Sequence, residues 1–302
     1  MMMKSKDNIR VAVLVIAILT AFGIQADAQG RPTPRKHSVT EAEPLNLVKA
    51  TQSNSNARVS IQVTNGRRII RSNGLPDHAV GRFPNRGNPH RIKAQNYTFS
   101  MPMTPRVGQS KSISRSSLFG VAVNGVPFDP GTAEVWRKGN RRSGWLYEAL
   151  GGAISLGLDS NYAHVQPNGA YHYHGLPVGL MQELGWTSKA ASPLIGYAAD
   201  GFPIYAVTAT VNGAVQKMTS SYQLKSGARP GGSGPSGRYD GAFVEDYTFV
   251  AGSGTLDQCN GTTLKTAEYP NGTYAYFLTE HFPVVPRCLV GQANASFSKR
   301  PR

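Results

Sequence analysis

Turn-forming residues interrupt this chain so often that only short structural elements fit between them. The sequence contains 33 glycines and 20 prolines. They recur in Asn-Gly, Asp-Gly, Gly-x-Pro and Phe-Pro steps, which favour turns. Long helices are incompatible with this spacing, because proline ends a helix and glycine weakens one. The pattern indicates a loop-rich globular protein.

The segments between these turns alternate apolar and polar side chains, which is the period-2 pattern of a strand. The clearest runs are residues 57–63, 117–123, 201–207 and 273–278. Only two segments, residues 144–153 and 177–186, have the spacing of short helices. We therefore predict a mostly β, loop-rich single domain with a few short helices.

The N-terminus has the three parts of a secretory signal. Basic residues precede an apolar run at residues 11–24, and a small-residue cleavage site follows, ending at Ala28. The run is shorter than the ~20 residues that span a bilayer, and no later segment is apolar enough to do so. We expect a signal peptide at residues 1–28, cleaved after Ala28. The mature chain should then lack a membrane span and be secreted or periplasmic.

Composition divides the mature chain into three parts. Residues 29–56 are rich in Pro, Ser, Asn and Thr, which is typical of a flexible lead-in. Residues 292–302 have the composition of a short basic tail. The β domain is therefore expected at residues 57–291.

The two cysteines, Cys259 and Cys288, are the whole complement of the chain. An oxidising compartment favours a disulfide between them. Thiolate metal ligands are the alternative, but no Cys-x-x-Cys spacing supports it. We predict a Cys259–Cys288 disulfide.

The formal net charge of +15 is concentrated in the first part of the mature chain. Residues 29–115 contain 15 Lys and Arg against 3 acidic residues. Most of these charges are arginines spaced singly among Gly, Pro and Asn, without the interleaved aromatics of a single-strand binder. Together with export, this argues against a nucleic acid partner. A solvated basic face is the simplest interpretation, and an anionic surface or a glycan is the partner it would attract.

Two stretches of the β domain repeat the same short motifs in the same order. Pro-Asn-Gly-x-Tyr-x-Tyr occurs at residues 167–173 and again at 270–276. Upstream of each copy lie a Gly-x-Pro turn and a Leu-Asp pair, at residues 124–128, 158–159, 200–204 and 256–257. We predict two degenerate β repeats, at about residues 117–185 and 195–285.

The repeat separates the histidines of the first copy from its tyrosines. Both copies keep the turn and the two tyrosines, but the second has Ala275 and Phe277 where the first has His172 and His174. Successive side chains of a strand point to opposite faces, so the two histidines share one face. We infer that the tyrosines belong to the fold and the histidines to a function of the first half.

Two imidazoles at i and i+2 of a strand can converge on one metal ion, but zinc or copper needs three or four ligands. We expect His164, ten residues before His174, to be the third ligand, with His78 or Asp200 completing the set. Carboxylates can orient coordinating imidazoles. The candidates for that role are Asp159 and Asp200, whereas the weaker histidine candidates are His37, His90 and His281.

These residues favour a metal-binding protein that uses zinc or copper, with no reaction assigned. The sequence has no Gly-x-Ser-x-Gly elbow and no P-loop, so it gives no support to a serine hydrolase or a nucleotide-binding enzyme. Metal-free catalytic or structural histidines remain alternatives. A non-catalytic binding or adhesion module for a glycan or another polyanion is the other functional class.

Several separate patches resemble the YHYH-domain family, a group of secreted proteins named for residues 171–174. The patches are residues 72–90, 124–130, 167–175, 195–206, 256–261 and 270–291. The resemblance thus extends over most of the mature chain. It implies that the basic stretch around Arg82, Arg86 and Arg91 is part of the folded domain, but it implies no particular reaction.

Overall fold

The computed structural model describes residues 47–52, 56–137 and 143–299. The signal peptide predicted at residues 1–28 lies outside this part of the chain. The described residues are mostly β, with few short helices and several sheets, which confirms the predicted fold class. Among them, no helix has the length and apolar character needed to cross a bilayer.

The strands are numbered in chain order. They are β1 (Val59–Thr64), β2 (Arg67–Ser72), β3 (Tyr97–Pro102), β4 (Lys111–Ser112), β5 (Gly120–Ala122), β6 (Pro127–Phe128), β7 (Ala163–Val165), β8 (Tyr171–Tyr173), β9 (Gly196–Ala198), β10 (Pro203–Ala206), β11 (Thr208–Val211), β12 (Ala214–Lys217), β13 (Tyr222–Leu224), β14 (Tyr247–Phe249), β15 (Gly261–Leu264), β16 (Thr273–Leu278) and β17 (Cys288–Leu289). The helices are α1 (Val178–Glu183) and the 3-10 turns Val244–Asp246 and Ala295–Phe297.

An eight-stranded sheet in the order β15-β16-β10-β9-β5-β6-β8-β7 forms the centre of the fold. Its pairing pattern is the same from either edge. An antiparallel edge pair is followed by a parallel pair and then by an antiparallel hairpin, and β5 and β9 meet antiparallel in the middle. Two related halves would give this order. Because strand order alone does not demonstrate a duplication, the duplication stays a prediction.

Aromatic side chains fill the core beside this sheet. Phe119, Phe128, Tyr173 and Tyr276 are completely buried. Removing a side chain of this size from water contributes about 1.5–3 kcal/mol to folding. Burial of these large side chains therefore contributes substantially to holding the short strands together.

The four runs predicted as strands all contain strands, namely β1, β5, β10 and β16. The helix predicted at residues 177–186 is present as α1. The helix predicted at residues 144–153 is wrong. There, the Leu146 N–H donates to the Glu245 carboxylate and the Glu148 N–H donates to the Ala242 carbonyl. These bonds tie the segment to another part of the chain and replace the i to i−4 bonds of a helix.

Both ends of the described chain pack more closely than their composition predicts. In the predicted lead-in, the Val48 N–H donates to the Leu158 carbonyl at 3.0 Å, and Gln52 bridges to Val80. In the predicted tail, Phe297 is 1% exposed and stacks on Phe99, with ring centroids 4.8 Å apart. Residues 47–52 and 292–299 therefore belong to the folded domain, because their apolar side chains and backbone bonds have partners there.

Cys259 and Cys288 form the predicted disulfide, with Cα atoms 5.1 Å apart and 29 residues of separation. A closed loop of this length restricts the unfolded chain by roughly 3–4 kcal/mol on the loop-entropy model. We expect Cys259→Ser/Cys288→Ser to lower the free energy of unfolding by about this amount, measured by urea denaturation. Equal urea midpoints for the two proteins would contradict the expectation.

Candidate metal centre

The β7–β8 hairpin brings His164 beside His172. In this antiparallel pair His164 lies directly opposite His172. The turn between the strands is closed by the Gly169 N–H, which donates to the Gln166 carbonyl at 2.8 Å. Gly169 has φ +90°, a conformation that favours glycine. The Asn-Gly turn therefore fixes the register that pairs the two imidazoles.

The Nε2 atoms of three histidines meet on one face of this hairpin. His174 Nε2 lies 3.0 Å from His172 Nε2 and 3.1 Å from His164 Nε2. In the described part of the chain these three residues are the one group of His, Cys, Asp or Glu whose potential ligand atoms all lie within 4.8 Å of one another. The structure thus joins the two histidines of the YHYH strand to the predicted third ligand.

Backbone carbonyls determine the tautomers of two of these imidazoles. His164 Nδ1 lies 2.8 Å from the Leu156 carbonyl, and His172 Nδ1 lies 3.2 Å from the Ala170 carbonyl. A carbonyl only accepts, so each Nδ1 carries the hydrogen and each Nε2 presents a lone pair to the centre. His174 Nδ1 is buried and has no hydrogen-bond partner among the described residues. Lone pairs are therefore concentrated where the three rings meet.

The centre is buried in a way that disfavours a charged imidazole. His172 is 2% exposed and His174 is 4% exposed, whereas His164 is half-buried. Burial, assisted by His172, lowers the pKa of His164 to about 3. Burial likewise lowers the pKa of His174 well below its usual value, assisted by the neighbouring imidazoles. At neutral pH these two imidazoles are neutral, the form that coordinates a metal.

These pKa shifts predict that the metal-free protein loses stability below pH 6.5. The unfolded imidazoles take up protons below about pH 6.5, whereas His164 in the folded protein stays neutral until about pH 3. The stabilisation is complete above pH 6.5 and falls by up to about 1.4 kcal/mol per pH unit for each such imidazole. Burial raises the pKa of Asp159 and Asp200, and these groups contribute with the opposite sign.

The histidine contribution is therefore read from the difference between the wild type and His164→Asn. We expect urea unfolding in the presence of a chelator to show a steeper loss of stability between pH 6.5 and 5 in the wild type. Parallel curves for the two proteins would contradict the assignment.

The other face of the YHYH strand holds a separate polar network. The Tyr171 hydroxyl donates to Asp159 Oδ2 at 2.7 Å, and Tyr173 Oη lies 2.6 Å from His78 Nε2. Because alternate side chains of a strand leave from opposite faces, His78 and Asp159 lie with the tyrosines and not with the three imidazoles. The structure does not bring His78 to the cluster as a fourth ligand, and the hydrogen bonds of Asp159 orient a tyrosine.

Asp200 serves the second half of the sheet. Its Oδ2 accepts from the Tyr276 hydroxyl at 2.6 Å and from the Gly291 N–H at 2.9 Å. Ala275 and Phe277, which replace the two histidines in this half, are completely buried in a small apolar cluster. Asp200 is therefore not placed to orient the imidazoles of the first half.

The sequence did not identify Asn88, Asp129 and Lys299 as neighbours of the centre. Asn88 Nδ2 donates to the Val165 carbonyl at 2.9 Å and lies 3.2 Å from His164 Nδ1. Asp129 follows Phe128, and its N–H donates to the Tyr173 carbonyl at 2.9 Å, beside His174 in the chain. Lys299 Nζ lies 2.6 Å from the Asp129 carboxylate. All three depend on contacts distant in sequence, and no local pattern indicates them.

Among the described residues, no other histidine joins this cluster. His37 falls outside the described residues. His90 is half-buried and His281 is exposed, and neither joins the group of three.

A family model described as YHYH protein matches residues 98–291. The chain belongs to the YHYH family. A comparison with curated proteins found no match, and neither did a comparison with solved structures. In this YHYH protein, the motif's two histidines meet His164 on one side of the β7–β8 hairpin, and its two tyrosines lie on the other side. The matched region includes His164 together with the motif.

Proposed function

We propose that this YHYH protein binds one transition-metal ion, zinc or copper, through His164, His172 and His174. The convergence of three Nε2 atoms, two of them on buried imidazoles, carries the proposal. The Nε2 atoms of His164 and His172 present lone pairs. A single hydrogen on His174 Nε2 would form only weak bonds to both of them. A metal ion would give every lone pair a strong partner.

The spacing of the nitrogens supports the proposal. Bonds of about 2.0–2.1 Å to a common ion place ligand nitrogens roughly 3.3–3.6 Å apart in tetrahedral or trigonal geometry. The observed separations of 3.0 and 3.1 Å are shorter by only a few tenths of an ångström. Small side-chain rotations therefore suffice to admit an ion.

The donor set supports zinc or copper in preference to calcium or magnesium. Three neutral imidazoles suit zinc and copper, whereas the hard cations prefer oxygen ligands. A metal with three protein ligands keeps a position for an external ligand, at which zinc activates water and copper supports redox chemistry. The carbonyls of Leu156 and Ala170 would orient two of the coordinating rings.

We also propose that the protein works outside the cytoplasm. The Cys259–Cys288 disulfide is typical of oxidising compartments. The charged start, apolar run and cleavage site of residues 1–28 form a secretory signal. Secretion or periplasmic export therefore accounts for both features.

Elemental analysis of the purified mature protein tests the metal proposal. After growth with added zinc and copper, we expect about one metal ion per chain in the wild type and none in His172→Ala/His174→Ala. His281→Gln is the matched control, because it removes an exposed imidazole that lies outside the cluster. A metal-free wild type, or an unchanged metal content in the double variant, would overturn the proposal.

A further inference from the structure

A basic loop, residues 82–93, lies along the edge hairpin that carries His164. The Asn85 amide donates to the Gly157 carbonyl at 2.9 Å, and the Lys93 N–H donates to the Gly169 carbonyl at 2.9 Å. Between these anchors the Asn88 amide donates to the Val165 carbonyl at 2.9 Å. The loop is thus attached at three points, near both of its ends and in its middle, to β7 and to the turns that flank β7.

The charges of this loop are all basic. It contains Arg82, Arg86, His90, Arg91 and Lys93, and no Asp or Glu. The three arginines are exposed. In the described part of the chain none of the three forms an ion pair. No carboxylate of the described residues therefore neutralises the charge of these three arginines.

The loop places these charges near the half-buried side of the centre. Asn88 Nδ2 lies 3.2 Å from His164 Nδ1. Each residue extends a chain by at most about 3.6 Å, so the Cα of Arg86 is within about 7 Å of the Asn88 Cα, and that of Arg91 within about 11 Å. Both residues therefore lie close enough to His164 for their charge to act on an anion bound at the cluster.

Other charged groups near the cluster are already paired. Lys299 is held by Asp129, and Arg287 is held by Glu148. Within the described residues no carboxylate belongs to the group of potential ligands. A divalent ion held by three neutral imidazoles would therefore keep its full charge in a buried place, which is costly unless an anion compensates it.

Resting on the proposed function, we propose that the external position of the metal takes a small anionic ligand, a carboxylate or a comparable oxyanion, which the basic loop attracts. Guanidinium groups match the geometry of such anions. Arg86 and Arg91 would favour the anion over neutral water at the metal. The substrate or regulatory ligand of the site is then an acid anion and not a neutral molecule.

Azide binding to the copper(II)-loaded mature protein tests this inference, because a metal-bound azide gives its own absorption band. We expect azide to bind the wild type and acetate to compete with it. Arg86→Gln/Arg91→Gln should weaken azide binding by about twofold to tenfold, the range for one or two charges acting through solvent-exposed protein. Perchlorate at high concentration should reduce the difference by screening.

Arg71→Gln is the charge-matched control, since Arg71 is exposed on β2 in a different sheet. It should leave azide affinity unchanged. Copper content is measured on every sample. Copper loading without azide binding, or equal azide affinity in the wild type and the double variant, would overturn the inference alone. Failure of the wild type to load copper or zinc would overturn the proposed function and the inference with it.

Discussion

Replacing His164 by alanine should lower the affinity for the bound metal by about 1,000-fold. The loss of a residue that only orients a ligand already costs 10- to 100-fold, and His164 is assigned as a ligand itself. Its Nε2 lies 3.1 Å from His174 Nε2. The two histidines that remain on the YHYH strand provide too few ligands for zinc or copper. Competition with a chromophoric chelator measures the change.

His78→Gln is the matched control for this experiment. His78 is 2% exposed and so is buried like the cluster, but it bonds to Tyr173 on the other face of the strand. We expect it to lower the free energy of unfolding while leaving metal affinity within about threefold of the wild type, because outer-shell effects of 10-fold or more require contact with a ligand. Equal losses of affinity in the two variants would show that metal binding follows stability and not ligation.

Replacing Tyr173 by alanine should destabilise the protein by about 4 kcal/mol or more. The side chain is completely buried, and its ring packs on Phe128 with centroids 5.4 Å apart. Large-to-small changes of buried aromatics cost about 3–5 kcal/mol. The Tyr173 hydroxyl lies 2.6 Å from His78 Nε2 and 3.1 Å from Asn124 Nδ2, so its removal also breaks these two hydrogen bonds. Urea or thermal unfolding measures the effect.

Tyr173→Phe separates the two contributions. It keeps the ring and removes only the hydroxyl, so we expect a loss of about 1–3 kcal/mol. Metal content per folded molecule should stay at the wild-type value, since the hydroxyl lies on the face away from the imidazoles. A stable Tyr173→Ala, or a metal-free Tyr173→Phe, would contradict the division of the strand into a structural face and a binding face.

Local patterns were sufficient to predict the hairpin part of the site. The period-2 alternation predicted for residues 171–174 places His172 and His174 on one face, although β8 itself ends at Tyr173. The Asn-Gly turn returns the chain within reach of His164. Both features depend on residues within ten positions of one another. The disulfide was predictable for a different reason, because only two cysteines are present and they have no other partner.

Contacts between segments that are distant in the sequence determine the parts of the site and the fold that local patterns do not predict. His78 was expected beside the imidazoles, but the path of its loop brings it to the tyrosine face. Asn88 lies 76 residues from His164, and no pattern in the sequence connects the two. The false helix at residues 144–153 has the same origin, since Leu146 and Glu148 bond to residues about 100 positions away.

X-ray absorption at the edge of the bound metal tests the three-histidine centre most directly. On the metal-loaded mature protein we predict a first shell that contains three imidazole nitrogens at about 2.0–2.1 Å, reduced to two in His164→Ala. A first shell of oxygen atoms alone, or one in which the number of imidazoles does not change in His164→Ala, would contradict the assignment of His164, His172 and His174 as the ligands.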